Sequence, residues 1–184
     1  MRKKILACEN PEIVVSSVRG DYHAQINFHK KLADWLAGKE KRLLYISTAN
    51  VFDGDLSKPW TENDPPIPKS DYGGFKRNCE TMLGEVLGNQ LTIFRLATVW
   101  SVNCPRVQRL DLHSKNGEPY YTHPDYIVNY FSFERMVCEA LKIELPQFVA
   151  ETEGEALSFA ILPARREIPN DLQMTVSDVV SALK

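Results

Sequence analysis

Leu43-Leu44-Tyr45-Ile46-Ser47-Thr48-Ala49-Asn50-Val51-Phe52-Asp53-Gly54, followed after an acidic, proline-rich loop by Tyr72-Gly73-Gly74-Phe75-Lys76, is the stretch on which the reading of this 184-residue chain turns. The apolar run 43–47 is short, branched and flanked by polar residues. Strands covered on both faces look like this, and such strands belong to parallel sheets. Downstream, Tyr72, Phe75, Cys79, Met82, Leu83 and Val86 recur at steps of three and four, with Gly88 beyond them. That spacing predicts an amphipathic helix with a glycine stop.

The same two patterns flank this stretch. Residues 13–18 and 91–96 read as further buried strands, and Ala24, Phe28, Leu32 and Leu36 mark a helix that ends near Gly38. Strand, helix, strand, helix, strand predicts a parallel α/β sheet. Right-handed crossovers then place the strand carboxyl ends along one edge, where ligands of open α/β sheets bind. Beyond Trp100 the alternation weakens. Residues 101–128, with Pro105, Gly117, Pro119 and Pro124, read as irregular. Phe133, Met136, Val137, Ala140 and Leu141 mark an amphipathic helix, and 158–162 a candidate strand. Val176, Val179, Val180 and Leu183 mark a last helix, with Thr175 and Asp178 as a capping pair. The expected organisation is a domain over 1–100 and a smaller lobe over 101–184 packed on it.

Composition limits the function classes. Hydrophobic residues make up 43% of the chain, enough for a real core. A net charge of −2 offers no footprint for nucleic acid. No apolar run reaches the ~18 residues of a membrane span, and Glu9, Asn10 and Pro11 cut short the basic start, so no membrane partner or secretory signal is expected. Cys8, Cys79, Cys104 and Cys138 are scattered, which predicts reduced thiols in a cytoplasmic protein. Neither they nor His23, His29, His113 and His123 show metal-ligand spacing, so no metal site is expected.

The central stretch carries groups suited to carbonyl chemistry. Thr48 falls just past a strand, at the carboxyl edge. Tyr72 and Lys76 lie one helical turn apart and share a face. A free tyrosine, with a pKa of about 10, exchanges protons poorly at neutral pH. A neighbouring ammonium favours the phenolate and brings it toward the working range. A hydroxyl such as Thr48 can hold a carbonyl oxygen in line with the phenol. The residues alone leave another reading open. Tyr72 could pack on the sheet, Lys76 could be a solvated helix residue, and Thr48 could cap a turn. Tyr120-Tyr121-Thr122-His123-Pro124-Asp125-Tyr126 similarly reads as core of the small lobe or as a substrate-side surface.

Four motifs taken together resemble the extended short-chain dehydrogenase/reductase family, of the NAD-dependent epimerase/dehydratase kind. They are Ser47-Thr48-x-x-Val51-Phe52-Asp53-Gly54; Pro59-Trp60-x-Glu62-x-Asp64-x-Pro66; Tyr72-Gly73-x-x-Lys76-x-x-x-Glu80; and Ile93-x-Arg95-x-x-x-Val99-Trp100. The nearest branch is that of dTDP-4-dehydrorhamnose reductase-like nucleotide-sugar reductases. Asn10-Pro11-Glu12-Ile13-Val14-Val15 is similar to the entry of the family's fourth strand, and Ile26-Asn27 to the asparagine motif of the helix after it. The resemblance spans roughly the first hundred residues and is loose beyond them.

The resemblance implies reduction or epimerisation of a nucleotide-activated sugar with NADP or NAD. It makes Tyr72 the general acid/base, Lys76 its activator and a ribose ligand, and Thr48 the group that orients the substrate carbonyl. Asn27 becomes the helix-bend and proton-path residue, and Thr98 and Val99 become neighbours of the nicotinamide. Two departures stand out. Ala49 and Asn50 replace the acidic and aromatic pair usual in the reductases. No G-x-G-x-x-G or G-x-x-G-x-x-G occurs anywhere. The implied fold is therefore a partial Rossmann-like sheet that starts near the end of the third helix, without the first βαβαβ part or its phosphate turn. Strand 13–18 would then be a sheet edge. Residues 2–8 could cover it as a helix or strand, or a homodimer or partner chain could pair along it. A non-catalytic binding or regulatory module that has lost dinucleotide binding is the alternative function.

Overall fold

The computed structural model describes residues 2–96, 99–122, 130–150, 161–162 and 176–183. The chain folds as two compact units. The first is Met1–Asp55 with Pro65–Ala97, and the second is Leu56–Asp64 with Thr98–Lys184.

In the first unit, α1 (Arg2–Glu9) precedes β1 (Ile13–Ser16), α2 (Tyr22–Leu36), β2 (Arg42–Thr48), a 3-10 turn (Ala49–Phe52), α3 (Asp71–Leu87) and β4 (Leu91–Leu96). Asp21 caps α2 by accepting from the Ala24 N–H at 2.8 Å. The three strands form an all-parallel sheet in the order β1-β2-β4, with Val15 opposite Leu44 and Tyr45 opposite Ile93. This is the expected α/β, Rossmann-like arrangement. Leu43 and Tyr45 project into a core made with Leu32, Ala33 and Leu36 of α2 and Phe75, Cys79, Leu83 and Leu87 of α3.

One expectation fails here. Among the described residues, helices cover only one face of the strands. Ile13, Val15, Phe94 and Leu96 lie on the opposite face and are 54%, 61%, 44% and 39% exposed. Two right-handed crossovers that step the same way across a sheet put both helices on one side, so α2 and α3 share a face. Among the described residues β1 pairs only with β2, which leaves its outer edge free.

The second unit holds β3 (Trp60–Thr61), α4 (Pro105–Asn116), β5 (Tyr120–Thr122), α5 (Tyr130–Leu141), β6 (Phe148–Ala150), β7 (Ile161–Leu162) and α6 (Val176–Ala182). β3 pairs with β7, and β5 with β6, both parallel. The irregular reading of 101–128 is corrected by α4. Pro105 occupies its first turn, where the missing N–H costs nothing, and Gly117 ends it at φ +66°. The residues read as breakers are the ends of a helix. Val107, Leu110, Tyr120, Val137, Cys138, Val180 and Leu183 form this unit's core. Tyr120 is therefore core, while residues 123–126 lie outside the described residues, as do Thr175 and 158–160. No helix among the described residues is long and apolar enough to cross a membrane.

Candidate functional site

The site is built where β2 ends and α3 begins. Ser70 caps α3 by accepting the Gly73 N–H at 3.0 Å. Asp53, just past the 3-10 turn, accepts from the Ser70 hydroxyl and from the backbone N–H groups of Lys69 and Ser70. Burial alone would raise the Asp53 pKa. These bonds, with one from the Asn50 side chain, outweigh that and hold the carboxyl below its ordinary range. One carboxylate thus ties the start of α3 to the end of β2.

Gly73 makes the approach possible. A Cβ there would sit 2.2 Å from the Asn50 carbonyl oxygen, a backbone atom that has no rotamer to escape into. Gly73→Ala is expected to destabilise the fold by about 1–3 kcal/mol through overpacking. A urea midpoint equal to that of the wild type would contradict the close packing of turn against helix.

Tyr72 stands in the first turn of α3, 41% exposed. Lys76, one turn on, is only 6% exposed. Its Nζ donates to the Ile46 carbonyl at 3.0 Å, lies 4.9 Å over the Tyr45 ring and sits 5.9 Å from the Tyr72 ring centroid. Burial lowers the Lys76 pKa, and the nearby Arg19 charge adds to this against the opposing pull of Cys79 and Glu80. The reading of Lys76 as a solvated helix residue does not hold, because its stem runs inward and its ammonium ends on β2.

Thr48 is 7% exposed and caps the 3-10 turn. It donates to Asn50 Oδ1 at 2.8 Å and accepts from the Asn50 N–H at 3.2 Å. Ser47 donates to Glu80 Oε1 at 2.6 Å. Glu80, 2% exposed, also meets Arg95 twice, at 3.1 and 2.9 Å. Ser47, Glu80 and Arg95 therefore bolt β2, α3 and β4 together.

Asn27 lies on α2 but is exposed, and its side chain makes no hydrogen bond among the described residues. Val99 is 65% exposed in the second unit, and Thr98 lies outside the described residues.

Sequence reasoning missed His29. It is fully buried, meets the Ser16 hydroxyl at 2.9 Å and packs edge-on to Tyr45 at 5.1 Å. Burial and the Lys76 charge lower its pKa from 6.5 to about 4. The unfolded chain takes up this proton near pH 6.5 and the folded chain only near pH 4. Stability is therefore complete above about pH 6.5 and falls as the pH drops toward 4, by about 3 kcal/mol. Urea midpoints across that range should show the slope in the wild type and lose it in His29→Gln. Parallel curves would contradict it. Nothing in the sequence marks His29, because its significance depends on α2 packing over Tyr45.

Comparison with known proteins adds the lineage. By sequence, no characterised protein is similar enough to count as a match. The fold is similar to dTDP-4-dehydrorhamnose reductase from Bacillus anthracis str. Ames, solved in complex with NADP, with a TM-score of 0.76 at 13% identity over 98% of this chain and 82% of that one. The same reductase from Yersinia enterocolitica gives 0.71 at 15% identity, covering 98% and 83%. UDP-N-acetylglucosamine 4-epimerase from Bacillus cereus gives 0.69 at 15% identity, covering 93% and 77%. At these identities the likeness establishes the fold. The family model of the RmlD substrate binding domain matches residues 12–109, which hold β1 through β4 and the whole Thr48–Tyr72–Lys76 region. With more than half of the chain matched, the protein belongs to the RmlD substrate binding domain family.

Proposed function

We propose that the chain carries out the proton-transfer half of a nicotinamide-dependent oxidoreduction on a nucleotide-activated sugar, a 4-keto sugar reductase or epimerase in kind. The observation that carries this reading is the pairing of an exposed Tyr72 with a buried, twice-held Lys76 at the carboxyl edge of a parallel sheet. Tyr72 exchanges the proton at the carbonyl oxygen, and Thr48 orients that oxygen. Lys76, anchored by Ile46 and Tyr45, keeps a positive charge beside the phenol as the proton moves. Asn27 offers a free carboxamide on α2. Residues 1–100 serve the cofactor side and 101–184 the sugar side, with Thr98 and Val99 assigned to the nicotinamide, in a cytoplasmic protein.

NADP or NAD supplies or takes the hydride when bound. The residues present suit only one end of it. Tyr72 and Lys76 offer a hydroxyl and an ammonium to the nicotinamide ribose. No glycine-rich turn stands in this sequence for the pyrophosphate. Weak dinucleotide binding is therefore expected.

A second reading is a non-catalytic binding module that acts through a homodimer or partner chain at residues 13–18. Its support is the free β1 edge beside exposed Ile13 and Val15. Titration with NADPH and NADH, followed by assay on a panel of 4-keto sugar nucleotides, separates the two. The oxidoreductase reading expects saturable binding and loss of absorbance at 340 nm with at least one sugar. Absence of both, together with a concentration-dependent dimer in light scattering, would favour the module.

A further inference from the structure

We infer that Asn50 is a positioning residue that holds the Thr48 proton and so sets whether the site meets a ligand oxygen as donor or acceptor. This deepens the carbonyl-site reading and rests on it.

The argument is one of proton counting. A threonine hydroxyl has one proton and two acceptor positions. Thr48 directs its proton at Asn50 Oδ1 and receives the Asn50 backbone N–H. The direction of the Asn50 amide is not free. Its other end is turned to the Asp53 side, and the Asn50 side chain helps hold that acceptor-only carboxyl below its ordinary range. Oδ1 faces Thr48, 2.8 Å from its hydroxyl, and Thr48 donates to it; an Nδ2 turned to the Asp53 side agrees with that direction.

Asp53 is itself held by Ser70 and Lys69, and the Asn50 backbone by the missing side chain of Gly73. The chain Thr48 to Asn50 to Asp53 to Ser70 runs from the end of β2 to the cap of the helix that bears Tyr72. No member of it can turn without disturbing the next.

The consequence is a preference. In the resting site Thr48 has one acceptor position left and no proton to give. A ligand hydroxyl can donate to it directly. A ligand carbonyl, which only accepts, gains nothing from Thr48 until its hydroxyl leaves Asn50. The resting geometry therefore favours the alcohol form of a sugar over the keto form, and Asn50 is the residue that imposes it.

Two measurements on the intact chain test this. The first needs no ligand. The Asn50 side-chain amide should give a nitrogen–proton pair with slow solvent exchange, and Thr48→Val and Asp53→Asn should each shift it. An amide with solvent-like exchange, or one unmoved by Thr48→Val, overturns the assignment. The second compares binding of dTDP-glucose and its 4-keto-6-deoxy derivative. Wild type should favour the hydroxyl form, and Asn50→Ala should move the ratio toward the keto form by roughly 2- to 10-fold, the range of one hydrogen bond. Asn50→Ser, which keeps the turn, provides a second folded variant. An unchanged ratio with a held amide overturns the selectivity role. No binding of either probe to any variant, with the amide still held, overturns the carbonyl-site reading instead.

Discussion

Replacing Tyr72 with phenylalanine is expected to cut turnover by about 100- to 10,000-fold, the range for losing a positioned general acid/base, while leaving stability nearly unchanged. The reason lies in its surroundings. The side chain is 41% exposed, and its hydroxyl makes no hydrogen bond among the described residues. Removing one solvent-facing oxygen should move the unfolding free energy by less than about 0.5 kcal/mol. The ring remains in place, 5.9 Å from Lys76 Nζ. Steady-state rates with the best sugar nucleotide from the panel, paired with urea unfolding, make the comparison. A variant that keeps full turnover removes Tyr72 from the chemistry. A variant that loses stability and turnover together marks it as a packing residue.

Glu80→Ala should do the reverse, with the largest effect on stability of any single change considered. Glu80 is 2% exposed and serves three partners: the Ser47 hydroxyl, the Arg95 guanidinium in a two-point grip, and Arg77 at 3.8 Å. Cutting one side of a buried pair strands the other charge, at a cost of about 3–5 kcal/mol. A domain with 5–15 kcal/mol in total would be left marginal. The Arg95 side chain is 15% exposed, so water relieves little of that cost. Replacing both Glu80 and Arg95 by leucine should recover part of the loss, since no charge is then left unpaired. Urea unfolding of the wild type and the two variants is the measurement. A loss below about 1 kcal/mol for Glu80→Ala would mean that the network does not join the three elements.

The fold was largely legible because its signals are local. The runs at 43–47 and 91–96 are strands of nearly the expected length, and Ala24 through Leu36 and Tyr72 through Val86 are helices. Pro105 and Gly117 misled because a proline and a glycine mark a helix's two ends as readily as they mark a loop. The site was legible in part. Tyr72 and Lys76 are one turn apart whatever surrounds them, so their common face could be read directly. That Lys76 turns inward to Ile46 could not, because its acceptor is a backbone oxygen 30 residues away in sequence.

The sequence by itself determined the α/β order and the spacing of Thr48, Tyr72 and Lys76, since these follow from periodicity and residue type along the chain, and its motifs carried the resemblance to the family. Tertiary structure alone decided the burial and the hydrogen-bond partners of Thr48 and Lys76. Burial keeps His29 neutral and lowers the Lys76 pKa, and the Thr48 hydroxyl is turned onto Asn50 Oδ1. It also decided that Ile13, Val15, Phe94 and Leu96 share the face of the sheet opposite α2 and α3, where each remains partly exposed. The physical reason is common to both. Dielectric environment, hydrogen-bond direction and the side on which a crossover lies depend on residues distant in sequence, and folding alone brings them together.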